Sequence, residues 1–585
     1  MKYTILLFVF ISNALFAQTI NRGPYLQMGT STSMQIRWRS DVATESRILY
    51  GTNQNLLSEI ALDASLTTEH ILNLSNLQSN TKYYYAIYNN TTRLEGSSLN
   101  YFITAPPIGS TQKTRIWATG DCGTGSSVQT NVQNTFLNFL GNNYVNAWIL
   151  LGDNAYTSGL DTEYQNKFFA PYQSQRLMKQ TPIFPAPGNH DYANSAALQD
   201  SHQMPYYDIF SMPTTAEIGG IASNTEAFYS YNIANIHFVS IDSYGKENGT
   251  RLSDTLSSPQ ITWLKQDLAA NQQTWTILYW HHPPYTMGSH NSDTESELRY
   301  IREKVMPILD RYKVDLVLCG HSHCYERSKP TRGHYGLEAS FDSTAHHKSF
   351  SSGRYDGSSN SCPYIKTSGS THEGIIYVVA GSAGQISGNQ TSFPHNAMYY
   401  SNNTNGGSLY LEIENKRLDA KWIATNGVIL DKFTILKDAN KSSIVNLPNN
   451  ATGAILTAPS PSWQGSYFWQ HDLSNNQTIT INNPQNGMNF LIKDSLACMA
   501  DTIKISMLND CLNQQNITTM IENGSNIKVE TSHYITAESA ILNKSAVVYD
   551  AGQSIILNAG FVANKGAIFS AYIDGCGNSS TYIKH

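Results

Sequence analysis

Short runs of alternating apolar and polar residues fill the first hundred positions. The stretches 34–40 (MQIRWRS), 46–52 (SRILYGT) and 81–89 (TKYYYAIYN) are rich in β-branched and aromatic residues and show no helical period. This pattern predicts a β-sandwich of about seven strands over residues 19–104. A segment rich in Pro, Gly and Ser at 105–113 then predicts a linker.

The pattern changes from residue 114 to about residue 437. Apolar runs bounded by turn residues now alternate with helical periodicity, which favours buried strands in an α/β sheet. The runs are 115–120, 147–152, 182–188, 236–242, 274–280, 314–320 and 374–381. The helical patterns cover 127–140, 258–270 and 295–312.

Helical patterns disappear again after about residue 441. Strand-like segments at 477–483, 490–495 and 501–506 predict a small Ig-like β module over 441–508. The remaining residues, 509–585, predict a β-rich C-terminal module. Within it, strand-length pieces separated by Gly and Asn fit either stacked β-rungs or another sandwich, and the pattern does not choose between them.

The first 17 residues have the pattern of a secretory signal peptide. Lys2 is followed by an apolar run at 5–11, and Ala17 ends a small-residue cleavage site. The apolar run is much shorter than the roughly 20 residues of a spanning helix, and no later segment reaches that length. We therefore expect no transmembrane segment and a secreted protein, extracellular or periplasmic, or one held at the cell surface by something other than a helix.

Composition narrows the range of partners. The chain has 38 Lys and Arg against 44 Asp and Glu, a net charge of −6, and charged residues make up 14%. Binding to nucleic acid backbones requires a basic face, so no nucleic acid is expected as a partner. Seven cysteines allow one or two disulfides in an oxidising compartment, without indicating their pairing.

Polar residues cluster where the apolar runs of the middle region end. Because ligands of open α/β sheets bind outside the carboxyl ends of the strands, five such ends predict one shared site. The segments are GDCG with Asp121, GDNAY with Asp153 and Tyr156, GNHD with Asn189 and His190, HHPPY with His281 and His282, and GHSHCYER with His321 and His323. Taken singly, each fits an ordinary turn, cap or packed residue; their joint occurrence at strand ends does not.

The residue types indicate metal chemistry. Oxygen donors combined with imidazoles suit Fe, Mn and Zn, and there are too many donors for one tetrahedral ion. A carboxylate can bridge two ions, and a pair of metals forms the clamp used in phosphoryl hydrolysis. A tyrosine phenolate favours a strongly acidic ion, so Fe(III) is expected at one position.

The ordered motifs GDxG, GDxxY, GNHD, HxP and GHxHxYER resemble those of the purple acid phosphatases, within the calcineurin-like metallophosphoesterases. The likeness covers residues 114–437, and the segments SRILYGT and LSNLQSNTKYYYAIY resemble the fibronectin type III-like domain that precedes the catalytic domain in larger members. The resemblance implies a multidomain chain. It would have an N-terminal β-sandwich, a central α/β metallophosphoesterase sandwich of βαβαβ type with two sheets flanked by helices, and C-terminal all-β modules.

The resemblance also implies a ligand set. Fe(III) would be held by Asp121, Tyr156, His323 and the bridging Asp153. A second divalent ion, Fe, Zn or Mn, would be held by Asp153, Asn189, His281 and His321. His281 is chosen over His282 because Pro283 completes the family's His-x-Pro pattern. His190 would contact the phosphate and help to protonate the leaving group, and His290 would be an additional substrate histidine.

The sequence therefore predicts a secreted acid phosphatase that hydrolyses small phosphate monoesters by attack of a metal-activated hydroxide. A phosphodiesterase or nucleotide pyrophosphatase on the same centre is the nearest alternative, because pocket shape decides between them. A surface binding protein with a vestigial phosphatase domain is the third reading. The complete ligand set argues against that third reading.

Overall fold

The computed structural model of the chain describes residues 18–367, 370, 373–448, 451–458, 467–476, 478–508 and 512–573. The chain divides into two compact units, Met1–Lys437 and Asp438–His585. The predicted signal peptide lies outside the described residues. Within the described ranges, no helix has both the length and the apolar character needed to span a membrane.

Six strands of one sheet form the N-terminal β domain. The long strand β2 pairs with β1 along its first half and with β4 along its second half, while β3 pairs with both halves. Buried side chains from both halves, among them Trp38 and Ile87, share one core. Six strands form instead of about seven, because the long strands β2 and β3 each run through both halves of the domain. The strands are β1 (Ile20–Gln27), β2 (Met34–Gly51), β3 (Glu59–Leu74), β4 (Lys82–Asn89), β5 (Thr92–Glu95) and β6 (Tyr101–Ile103).

Two seven-stranded sheets form the central domain, in agreement with the two sheets that the family resemblance implies. One has the order β17-β22-β21-β20-β7-β8-β9, the other β10-β11-β14-β15-β18-β16-β19, and β12 and β13 form a separate hairpin. The strands are β7 (Thr114–Thr119), β8 (Ala147–Leu151), β9 (Ile183–Ala186), β10 (Tyr229–Ile233), β11 (Ile236–Ser240), β12 (Lys246–Glu247), β13 (Thr250–Arg251), β14 (Trp275–Trp280), β15 (Leu316–Cys319), β16 (Tyr325–Ser328), β17 (Tyr364–Lys366), β18 (Ile376–Ala380), β19 (Met398–Asn402), β20 (Gly407–Glu414), β21 (Arg417–Ala424) and β22 (Ile429–Lys437).

The three predicted helices form in this domain. Ser126 and Ser258 cap two of them by accepting hydrogen bonds from backbone N–H groups of the first turn. The third, predicted over 295–312, continues through a π-helical segment, Ile301–Val305. The α-helices are α1 (Ser127–Leu140), α2 (Asp161–Glu163), α3 (Ala170–Tyr172), α4 (Arg176–Gln180), α5 (Ala196–Ser201), α6 (Pro205–Ile209), α7 (Pro259–Ala270), α8 (Ser296–Tyr300), α9 (Met306–Tyr312) and α10 (Ser343–His346). A second π-helical segment spans Tyr164–Phe169, and a 3₁₀ turn spans Glu338–Ser340.

Apolar side chains of both central sheets share one core. Trp148 and Leu411 come from one sheet and Phe238 from the other, and all three are fully buried. Trp117 stacks on Phe136 of α1 with ring centroids 4.6 Å apart. Since each large apolar side chain contributes about 1.5–3 kcal/mol on burial, this core fixes the two sheets, and hence their strand ends, relative to each other.

The described cysteines fall into two groups. Cys122, Cys319 and Cys324 are buried free thiols, whereas Cys362 and Cys498 are disulfide-bonded. Burial raises the pKa of the Cys122 thiol to about 12, with Thr119 acting in the opposite direction. Cys122 therefore stays a protonated, packed side chain beside Asp121, as expected for a structural residue.

The second unit begins with a four-stranded sheet of order β23-β28-β27-β25 and a two-stranded sheet of β24 and β26. Strands β23 and β28 run parallel. The strands are β23 (Ser442–Pro448), β24 (Gly453–Thr457), β25 (Tyr467–Trp469), β26 (Thr478–Asn482), β27 (Asn489–Asp494) and β28 (Ala500–Leu508).

Stacked rungs form the rest of the second unit. Strands β29, β31 and β34 pair in parallel on one face, β30, β33 and β36 on another, and β32 and β35 on a third. Ile535 and Tyr549 are buried between the faces. Of the two alternatives left open by the sequence, the stack of rungs is the one that forms. The strands are β29 (Gln514–Ile517), β30 (Asn526–Thr531), β31 (Tyr534–Ala537), β32 (Ala540–Ile541), β33 (Ala546–Ala551), β34 (Ser554–Leu557), β35 (Val562–Ala563) and β36 (Ile568–Tyr572).

Candidate metal centre

The five predicted strand ends converge on one edge of the central domain. Strands β7, β8 and β9 are parallel neighbours in one sheet, and β14 and β15 are parallel neighbours in the other. Their carboxyl ends carry all of the residues predicted as ligands, and all are at least four-fifths buried. These residues are Asp121, Asp153, Tyr156, Asn189, His281, His321 and His323.

Glycines allow the strand ends to approach so closely. A Cβ atom on Gly152 would lie 2.5 Å from His281 Nδ1, and one on Gly188 would lie 2.3 Å from Asp153 Oδ1. Both distances are far inside van der Waals contact, so any side chain there would displace a donor group. Both glycines are thus required by packing, and Gly152 of the GD motif is also required by its positive φ of 88°.

Asp121, Tyr156 and His323 form the first donor group. The Tyr156 hydroxyl lies 2.8 Å from Asp121 Oδ1 and 3.1 Å from His323 Nε2. His323 Nε2 in turn lies 3.4 Å from Asp121 Oδ1. Asp153 Oδ2 is 2.9 Å from the same hydroxyl, so Asp153 borders this group as well.

Asn189, His281 and His321 form the second donor group. His281 Nε2 is 3.0 Å from Asn189 Oδ1 and 3.2 Å from His321 Nδ1. It is also 3.2 Å from Asp153 Oδ2. One oxygen atom of Asp153 therefore faces both donor groups, which is the position of a bridging carboxylate.

Hydrogen bonds at the far side of the rings orient two imidazoles. His281 Nδ1 donates to the Leu151 carbonyl oxygen at 2.9 Å, which turns its Nε2 toward Asp153. His323 Nδ1 lies 2.7 Å from Ser387 Oγ, and its Nε2 faces Tyr156. Outer partners of this kind hold the ring and tautomer of metal-ligating histidines.

Charge and burial are opposed throughout the centre. Burial disfavours the ionised form of Asp153, but His281 and its neighbours hold the pKa of that carboxyl well below its usual range. Burial also opposes the charged form of His281, yet Asp153 raises its pKa to about 9. Burial and the two carboxylates raise the pKa of Tyr156 well above its ordinary value. A bound cation would offset the opposition between burial and charge at all three side chains, because it stabilises carboxylate and phenolate together.

The donor set fits a binuclear centre. Two carboxylates, a phenol, an amide oxygen and three imidazoles are available, a mixture that suits Fe, Mn or Zn. In each of two buried triads, Asp121–Asp153–His281 and His281–His282–His321, the donor atoms lie within 4.8 Å of one another, and His282 is the one member outside this donor set.

His282 lies beside the centre. Its Nδ1 is 2.8 Å from Ser243 Oγ, and its ring stacks on Tyr244. Its donor atoms nevertheless come close to those of His281 and His321. The choice of His281 as the ligand therefore stays a prediction, supported by the carbonyl that orients His281.

The two predicted substrate histidines lie at the mouth of the centre. His190 Nδ1 donates to the Thr157 carbonyl oxygen at 2.7 Å, and its Nε2 is 3.9 Å from Asp153 Oδ2. The ring of His290 lies 3.7 Å from the ring of His321, measured between centroids. Both side chains are about three-tenths exposed, so both reach solvent and the donor groups at once.

Two functional neighbours have no counterpart in the sequence prediction. Glu295 Oε2 lies 2.9 Å from His290 Nδ1 and 3.3 Å from His321 Nε2, although the stretch around it carries no motif. Asp191, the last residue of GNHD, accepts hydrogen bonds from the backbone N–H groups of Asn154 and Gly188 at 3.0 and 2.8 Å. The place of Asp191 in the GNHD motif was the signal from which it could have been found. Its carboxylate fixes two ligand-bearing loops to each other.

Known proteins resemble this chain over the region of the centre. Residues 114–325 match the family model of calcineurin-like phosphoesterases, and this segment contains every predicted ligand. An uncharacterized protein of Mycobacterium tuberculosis is 25% identical over 357 residues, covering 54% of this chain and 64% of the relative. Purple acid phosphatase 23 of Arabidopsis thaliana is 25% identical over 282 residues, covering 44% and 57%. The chain thus spans less than two thirds of the length of these relatives.

Two further similarities bear on the fold. Tartrate-resistant acid phosphatase type 5 of Oryctolagus cuniculus is 22% identical over 308 residues, covering 49% of this chain and 78% of the relative. The structure of a purple acid phosphatase from yellow lupin (Lupinus luteus) seeds superposes with a TM-score of 0.53 at 17% identity, covering 71% of this chain and 75% of that one. The chain therefore contains a calcineurin-like metallophosphoesterase domain and has purple acid phosphatases among its relatives.

Proposed function

We propose that this protein is a phosphatase that hydrolyses small phosphate monoesters at a two-metal centre. The observation that supports this most is the position of Asp153, whose Oδ2 lies 2.9 Å from Tyr156 in one donor group and 3.2 Å from His281 in the other. A carboxylate shared in this way is what two adjacent cations require. The matched phosphoesterase domain supplies the reaction class.

In this proposal each cation has its own donor group, with Asp153 common to both. Fe(III) would be held by Asp121, Asp153, Tyr156 and His323, and a divalent Fe, Zn or Mn by Asp153, Asn189, His281 and His321. The cations, when bound, supply the activation of water and the neutralisation of phosphate charge that hydrolysis requires. Tyr156 argues for Fe(III), because burial beside two carboxylates makes its phenol hard to ionise without a strongly acidic ion.

His190 acts on the leaving group in this proposal. Its Nδ1–H is committed to the Thr157 carbonyl, so Nε2 is the nitrogen that faces the mouth and can pass a proton to the departing oxygen. His290 stands across the mouth against His321, with Glu295 holding its Nδ1. These two imidazoles would bind the phosphate oxygens from opposite sides.

We further propose that the protein is exported. The support is the signal-peptide pattern of residues 1–17. The proposed place of action is extracellular or periplasmic, or the cell surface, where an oxidising environment would suit the disulfide-bonded Cys362 and Cys498.

The test is a side-by-side assay of p-nitrophenyl phosphate and bis(p-nitrophenyl) phosphate across acidic and neutral pH, with metal content measured on the same sample. Faster monoester turnover with two metals per chain is the expected result. Faster diester turnover would replace the monoesterase by a phosphodiesterase on the same centre. Two bound metals with neither activity would favour a binding role.

A further inference from the structure

The loop that follows β8 is held by side chains of the helix after it. One carboxylate, that of Glu163, accepts hydrogen bonds from the backbone N–H groups of Thr157, Ser158 and Leu160, at 2.5, 2.8 and 3.2 Å. The Lys167 ammonium group pairs with Glu163 at 3.1 Å and also donates to the Tyr156 carbonyl oxygen. Glu163 and Lys167 together therefore determine the path of the loop.

This loop carries two groups of the metal centre. The Tyr156 hydroxyl reaches Asp121 and Asp153. The Thr157 carbonyl oxygen receives the Nδ1–H of His190 at 2.7 Å, and the His190 ring packs 4.5 Å from the Tyr156 ring. A shift of the Thr157 peptide would thus turn the His190 imidazole and move its Nε2 away from the mouth.

The same helix is attached to the N-terminal β domain. Arg39 of β2 contacts Asp161 with two parallel hydrogen bonds, Nη1 to Oδ2 at 2.6 Å and Nη2 to Oδ1 at 2.8 Å. Arg22 of β1, whose side chain is fully buried, donates to Asp161 Oδ1 at 2.9 Å and to Gln165 Oε1 at 3.0 Å. Paired arginine–carboxylate contacts of this form fix orientation as well as distance.

We propose that the N-terminal β domain positions His190, through the Arg22–Arg39–Asp161 clamp and the carboxylate of Glu163. Glu163, Asp161 and the two arginines are positioning residues, since none of them touches the substrate site. The inference rests on the proposed hydrolysis and gives the N-terminal domain a part in it. Its prediction is specific: loosening the clamp impairs proton transfer to the leaving group while the metals stay bound.

Two variants loosen the clamp at different points. Glu163→Gln replaces one acceptor oxygen by an NH2 group, which cannot accept the N–H of Thr157 or Ser158. Arg39→Gln removes the paired contact to Asp161 and keeps Arg22 in place. Matched controls are Glu303→Gln, which breaks another i,i+4 pair with Arg299, and Arg47→Gln, which breaks the Glu45 pair on the same strand as Arg39.

The readout compares two monoesters with different leaving groups. Phenyl phosphate needs a proton on its leaving oxygen more than p-nitrophenyl phosphate does, because phenolate is the more basic of the two leaving groups. Both clamp variants should lose about 10- to 100-fold in kcat on phenyl phosphate, since misplacement by about 1 Å costs up to about 10²-fold. They should lose several-fold less on p-nitrophenyl phosphate, with metal content close to that of the unmodified protein.

Hydrogen–deuterium exchange gives a second readout that needs no activity. The amides of Thr157, Ser158 and Leu160 should exchange at least about 10-fold faster in both clamp variants than in the unmodified protein. Their exchange rates should be unchanged in the controls. Equal losses on the two esters, loss of metal, or unchanged exchange would each overturn the proposal. If the unmodified protein hydrolyses neither ester, the proposed function fails, and the exchange rates still decide whether the clamp orders the loop.

Discussion

The buried carboxyl group of Glu326 makes a quantitative prediction about stability and pH. It lies beneath the loop that leads from β14 to His290, accepting hydrogen bonds from the Thr286 hydroxyl and from the Met287 N–H at 3.5 Å. Burial raises the pKa of Glu326 from 4.5 to about 7, against the opposing effect of the Thr286 hydrogen bond. The folded protein therefore holds this proton in a pH range where the unfolded chain has lost it.

The sign and size follow from proton linkage. Between pH 4.5 and about 7, the folded state binds more protons than the unfolded state at this site, so stability falls as pH rises through that window. The difference of roughly 2.5 pKa units corresponds to about 3 kcal/mol at 1.36 kcal/mol per unit. The Glu326 contribution is constant above that window, once both states are ionised.

The assay is urea unfolding of the unmodified protein and of Glu326→Gln at several pH values across this window. The variant keeps a hydrogen-bonding side chain but has no proton to lose, so its stability relative to the unmodified protein should improve by about 3 kcal/mol from the acidic to the neutral end. Glu338→Gln, at another buried glutamate of the domain, is the control for amide substitution. A difference between Glu326→Gln and the unmodified protein that does not change with pH would refute the reasoning.

Three further predictions concern the centre and the core. Asp153→Ala should abolish turnover and leave less than one metal per chain, by metal analysis; near-normal turnover with one metal would contradict the shared ligand. His190→Ala should retain both metals and lose about 10²- to 10⁴-fold in kcat, and metal loss would instead make His190 a ligand. Trp148→Ala should destabilise the central domain by about 3–5 kcal/mol in denaturant unfolding, because it empties a fully buried site; a cost below about 1 kcal/mol would mean that the core collapses around the gap.

The strand ends show what local sequence could predict. Asp121, Asp153 and Asn189 each follow an apolar run directly, so the strand, the turn and the donor lie within a few residues of one another. Parallel pairing of β7, β8 and β9 then brings these donors together without further information. The alternation of strands and helices in the central domain was predictable for the same reason, because its strands are short apolar runs with clear boundaries. The arrangement of these strands in two sheets was implied by the family resemblance.

Contacts between distant segments were not predictable in this way. Glu295 reaches His321 across 26 positions in a stretch rich in Ser, Asp and Glu, where any of several carboxylates fits the pattern equally well. Arg22 meets Asp161 across 139 positions, and neither residue lies in a motif. The strand count of the N-terminal domain was overestimated because continuous strands such as β2, with 18 residues, contain turn-like residues within them.

The rungs of the second unit give it a length that is adjustable in fixed steps. Strand β31 begins 20 positions after β29, and β34 begins 20 positions after β31, whereas β36 begins 22 positions after β33, so one circuit of the backbone takes 20 to 22 residues. Each rung packs only on its immediate neighbours, so its stability is close to a sum of local terms. Insertion or removal of one whole coil of 20 to 22 residues would therefore lengthen or shorten this module by one rung, while its cross-section stayed the same.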